Sequence, residues 1–157
     1  ANTQGMTLSY EDLNPIELVV DGVGSSFPIT EFEDKEGPLW KIEKNWISPD
    51  EDTLDASNVS IAFNIKHPLF SEVKKETRKI NLGYMNHIIM QAMALIIQEV
   101  ILIEQYSIDD EENLLPGTIL SAVSYWVKTF NVDTSDIFSI QNSLMNGIEN
   151  LNQEETN

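Results

Sequence analysis

Apolar residues alternate with polar ones over the first third of the chain and recur at helical spacing over the rest. Ile16, Leu18 and Val20 share one side of a predicted strand, with Glu17, Val19 and Asp21 opposite. "PLWKIEKNWI" puts Trp40, Ile42 and Trp46 on one face. "NVSIAFNI" puts Val59, Ile61, Phe63 and Ile65 on one face and Ser60, Ala62 and Asn64 on the other. A fourth strand is expected around "FPITEFE". Clean alternation implies one face on a core and one in water, the habit of antiparallel sheets. "DGVGSSFP" and "SPDEDTLDASN" carry the Gly, Pro, Ser and Asp content of connecting turns.

After Ile65 the period changes. His67-Pro68 can open a short helix, because proline suits a first turn, and Leu69, Phe70, Val73 and Thr77 then keep to one side. A long helix is expected from Leu82 to Tyr106. Ile119, Ala122, Val123, Trp126 and Phe130 form an amphipathic stripe behind a Pro-Gly-Thr start. Ile137, Ile140, Leu144, Ile148 and Leu151 form another behind an Asp/Thr/Ser cap. The expected fold is therefore α+β. A small antiparallel sheet of three to four strands in residues 1–66 is packed on one face by the long central helix and two C-terminal helices in residues 67–151. The whole reads as a single domain over 1–157, with residues 152–157 a frayed polar tail.

The long helix is far more apolar than a surface helix needs to be. At about 100° per residue, and taking His87 as zero, Gln98 lies near 20°, Gln91 near 40° and Gln105 near 0°, so the polar positions form one narrow line. A membrane span is not expected, because the uninterrupted apolar runs fall well short of ~20 residues and Gln91, Gln98 and Glu99 would sit inside it. A helix apolar almost all round belongs in a core, or between a core and a second chain that covers it.

Charge narrows the partners. With 26 acidic residues against 9 basic ones, direct nucleic-acid binding is disfavoured, since that affinity comes largely from Lys and Arg on phosphates. Lys74, Lys75, Arg78 and Lys79 are the exception, four cations within six positions. They make either a solvated helix face or a docking patch for an acidic partner or another copy of the chain. Without cysteine there is no disulfide and no thiolate chemistry, and an intracellular, cytoplasmic setting is expected. The N-terminal "ANTQGMTLSYEDLN" lacks the basic start and apolar run of a signal peptide. Abundant Ile and Asn beside a single Arg suggest a bacterial or phage origin.

Sites for chemistry are sparse. His67 and His87 stand twenty residues apart and outside any metal-pair spacing, so no metal or cofactor is expected. His87 could instead head a polar line with Gln91 against a small ligand. "VVDGVGSS" resembles the D-x-G-x-G turn of the Hsp90-like ATPases, but Asp21-Gly22-Val23-Gly24 is one residue short between the Asp and the second Gly. The activity is not carried over. "DEDTLD" and "DDEEN" are acidic loops that do not match the spacing of a calcium-binding loop.

These readings point to a non-catalytic protein-interaction or assembly domain, working with a protein partner or as a homo-oligomer. An acidic decoy that occupies a nucleic-acid-binding protein is one alternative. A small-ligand binder or enzyme with a site near His67 or His87 is another.

Overall fold

Val59–Asn64 is the middle strand of a three-stranded sheet in the computed structural model, which describes residues 27–73 and 79–156, the side chains of 79–83 and 151–156 excepted. Strands β1 (Ile29–Phe32), β2 (Trp40–Lys44) and β3 (Val59–Asn64) lie in the order β1-β3-β2. The expected strand around "FPITEFE" is β1. The one around Ile16 to Asp21 lies outside the described residues. The sheet is mixed rather than antiparallel: β2 runs antiparallel to β3, with Ile42 opposite Ile61, whereas β1 runs parallel to it, with Ile29 opposite Ile61.

That order corrects the expectation of a wet face. Every residue of β3 is buried, Ser60, Ala62 and Asn64 included. A strand flanked on both edges can bury small polar residues if they are hydrogen-bonded, and these are. The hydroxyls of Ser60 and Thr30 on β1 lie 2.9 Å apart. Asn64 accepts from the amide of Asp34 at 3.0 Å and donates to its carbonyl at 2.5 Å, clasping the turn that leaves β1.

Four α-helices follow among the described residues: α1 (Phe70–Val73), α2 (Lys79–Ile97), α3 (Ile119–Thr129) and α4 (Ile137–Thr156). On α1, Phe70 and Val73 are buried as expected, but Leu69 stands outside, 52% exposed. Past Ile97 the long helix widens into a π-helical segment, Gln98–Ile103, in which the amide of Glu104 reaches the carbonyl of Glu99. It ends with Gln105 at φ 61°, a left-handed residue that stops the helix just short of the expected Tyr106.

The chain divides into two compact units. The first holds the sheet, α1 and the start of α2. The second holds residues 47–54 and everything from Met90 onward. Within the second unit, Thr118 caps α3 by accepting from the amide of Ser121, and Ile119, Leu120, Val123, Trp126 and Phe130 are buried. The α3–α4 connection then doubles back along α4. Gly147 sits against the carbonyl of Phe130, and Ser143 Oγ accepts from the amide of Asp133 at 2.8 Å. Ile140, Leu144 and Ile148 lie buried on this stretch, whereas Ile137, expected on the same stripe, is 42% exposed because its turn lies beyond the covered one. The backbone of α4 continues through 156, past the point where its apolar stripe ends.

Helix α2 answers the question raised by its apolarity. Met85, Ile88, Ile89, Met93, Ile96 and Ile97 are each 2% exposed or less, and Val100 beyond them is fully buried. Between Tyr84 and Gln98 the positions that are not buried are Asn86 and a line of Tyr84, His87, Gln91, Leu95 and Gln98 spaced three and four residues apart. This is the narrow polar line read from the sequence, with Tyr84 and Leu95 added to it. By length and composition Tyr84–Ile103 is long and apolar enough to cross a membrane, and half of that stretch is buried inside the chain.

Candidate interaction surface

The acidic loop that opens the second unit is rigid for a local reason. One carboxylate oxygen of Asp52 accepts from the amides of Ile47 (2.7 Å) and Ser48 (3.0 Å), so the loop closes on its own side chain. It is then stitched to the entrance of α3. The amide of Leu54 donates to the carbonyl of Gly117 at 3.0 Å, that of Ile119 to Asp52 at 2.9 Å, and that of Leu120 to Pro49 at 2.8 Å. Gly117 adopts φ 82°, which a side chain would strain. This loop leaves Ile47 88% exposed, and the segment it meets leaves Leu115 56% exposed.

A third segment adds Ile103, Glu104 and Tyr106. The extra residue per turn of the π-helical segment leaves Ile103 61% exposed while Val100 stays buried. Burial first, and then the charges of Asp50, Glu104 and Glu51, push the phenol of Tyr106 above its usual range. Since the folded chain holds this proton more tightly, the contribution is complete below the ordinary tyrosine range and is lost as pH rises through the raised value. Replacing Asp50 and Glu51 by Asn and Gln, together with Glu104→Gln, should bring the phenolate absorbance change of Tyr106 to lower pH. The assignment comes from comparison with Tyr106→Phe, and an unmoved titration would show that the three carboxylates do not face the ring.

Start of α4: a second rigid display. Asp136 accepts from the amide of Ser139 at 2.8 Å in the manner of an N-cap. The hydroxyl and then the amide of Ser135 hold the Asp133 carboxyl below its usual range, against a weaker opposing effect of burial. On this pinned turn Phe138 is 76% exposed.

The residues singled out from the sequence fare differently. His87 and Gln91 lie one turn apart on the open line of α2, His87 exposed and Gln91 half-buried. His67 serves structure, its Nδ1 accepting from the amide of Leu69 at 3.1 Å ahead of α1. Lys74, Lys75 and Arg78 lie outside the described residues, and so does the side chain of Lys79, the first residue of α2. The acidic loops are internally engaged as well. Asp110 accepts from the side chain of Asn113 at 2.5 Å, and Glu111 pairs with Lys128 at 2.9 Å. Among the described residues no group of three or more His, Asp or Glu side chains could hold one metal ion.

What the sequence missed is the partition of charge between the units. The second unit contains fourteen acidic residues and Lys128 as its one basic residue, which places −13 of the chain's −17 there. It also carries seven of the nine large apolar side chains exposed among the described residues, namely Ile47, Leu95, Ile103, Leu115, Tyr125, Ile137 and Phe138. No protein-family model, curated protein sequence or solved structure matches the chain.

Proposed function

We propose that the chain is a non-catalytic protein-interaction or assembly module, acting in the cytoplasm of a bacterial or phage system. The observation that carries this reading is Phe138, 76% exposed on a turn pinned by the caps of Asp133 and Asp136. Singly exposed aliphatic residues are ordinary on protein surfaces. An aromatic ring on a fixed turn is a different object, because binding it costs little conformational entropy and buries a large apolar area. Its exposed neighbour Ile137 extends the same anchor.

Binding held by such anchors should survive about 0.5 M salt, where the Debye length has fallen to roughly 4 to 5 Å. Sedimentation of the chain alone, and affinity capture from an extract of the source cell, should therefore show association that persists in high salt. Phe138→Ser should weaken it severalfold or more. A strict monomer whose captured proteins all wash off in high salt would overturn the reading in favour of the acidic decoy, in which carboxylates are the binding surface.

A further inference from the structure

Residues 47–54 are hydrogen-bonded to the entrance of α3, and the charges of Asp50 and Glu51 reach Tyr106 just past the π-helical segment, so three segments of the second unit lie close to its acidic loop, each with an exposed aliphatic side chain near carboxylates in sequence. Residues 47–54 carry Ile47 with Asp50 and Glu51. The end of the π-helical segment carries Ile103 with Glu104. The approach to α3 carries Leu115 a short way after Asp109, Asp110 and Glu112. The bridge between Thr53 and Thr118 and the three loop hydrogen bonds hold the first and last of these together.

We propose that this end of the second unit docks a cationic amphipathic segment of another protein, which sets an apolar residue among Ile47, Ile103 and Leu115 and its Lys or Arg side chains against the surrounding carboxylates. The inference rests on the interaction role proposed above and adds the chemistry of the partner.

Charge complementarity chooses the occupant. The unit holds −13, and its one lysine is already paired with Glu111, so the same face of a second copy would bring like charge against like. A cationic segment would instead be drawn in and would meet no cation of this unit other than Lys128. The aliphatic side chains then separate a docking face from a nucleic-acid mimic. A mimic needs only density of negative charge, whereas exposed Ile and Leu among the carboxylates reward a partner that brings apolar surface too. Division of labour follows. The carboxylates speed encounter and lose that effect in salt, while the aliphatic contacts slow dissociation.

The test uses the full chain and two synthetic Leu/Lys peptides of identical composition, one patterned as an amphipathic helix and one scrambled so that no apolar face forms. In moderate salt the patterned peptide should bind about tenfold or more tightly than the scrambled one. Ile47→Ser combined with Leu115→Ser should erase that preference, and circular dichroism melting should show the double variant folded, since both sites are solvent-exposed. Equal, salt-sensitive binding of the two peptides would overturn the proposal, and so would a preference indifferent to Ile47 and Leu115. If neither peptide binds while Phe138-dependent, salt-resistant association persists, the docking proposal fails and the interaction role stands.

Discussion

Ile96→Asp is expected to abolish cooperative melting of the second unit. Ile96 is 1% exposed on the part of α2 that belongs to this unit, and the neighbouring Ile97 and Met93 are fully buried. An ionised carboxylate there would have to leave water without a partner, or take up a proton and bury a polar group. Either route costs several kcal/mol, against a whole-domain stability of about 5 to 15 kcal/mol. The unit's existing negative charge makes it worse, because its one basic residue, Lys128, is already paired with Glu111. The informative control is one residue away. Leu95 lies on the open line of the helix at 46% exposure, so Leu95→Asp should change stability by about 0.5 kcal/mol or less. Thermal melts of the two variants side by side decide the matter. If both unfold, or if Ile96→Asp melts like the parent, the orientation of α2 is wrong.

Gly147→Ala carries the second large effect, and there two opposing terms have different sizes. In an exposed helix interior, Gly→Ala should stabilise by up to about 1 kcal/mol, because glycine loses more backbone freedom on folding. At Gly147 an added Cβ would overlap the carbonyl oxygen of Phe130 and stand 3.0 Å from its carbonyl carbon. These are backbone atoms at the end of α3 and cannot swing aside, so the helices must move apart. Overpacking of this kind typically costs 1 to 3 kcal/mol and more where the backbone must shift, so it outweighs the gain in propensity. The expected result is a lower melting temperature, with chemical denaturation giving a lower midpoint at an unchanged slope. A stabilised Gly147→Ala would mean that α3 and α4 do not approach each other at this point.

Much of the helical half was legible in the residues alone. Val123, Trp126 and Phe130 on α3, and Ile140, Leu144 and Ile148 on α4, are buried as their spacing predicts, since a stripe one turn apart has only one way to leave water. Thr118 caps α3, a local interaction that needs no tertiary context. The narrow polar line of α2 was likewise visible as His87, Gln91 and Gln98. Local periodicity reports how many sides of an element are apolar, and that information survives folding.

Tertiary structure decided what depends on neighbours distant in the chain. Periodicity took Ser60 and Asn64 for a wet face because it cannot see that β3 lies between two strands, where Thr30 and the backbone of Asp34 replace water as hydrogen-bonding partners. Whether β1 runs parallel or antiparallel to β3 depends on which strand comes to lie between the others, a choice that alternation does not encode. Leu69 and Ile137 match their stripes in spacing yet stay exposed, because a stripe is buried only as far as something covers it. The meeting of residues 47–54 with the entrance to α3 joins segments more than sixty positions apart. It places the exposed Ile47 and Leu115 on joined loops within a unit holding −13 of the charge, whereas the sequence alone does not say which residues share a unit. A surface of that kind is made by long-range contacts, and local patterns record only the residues available to build it.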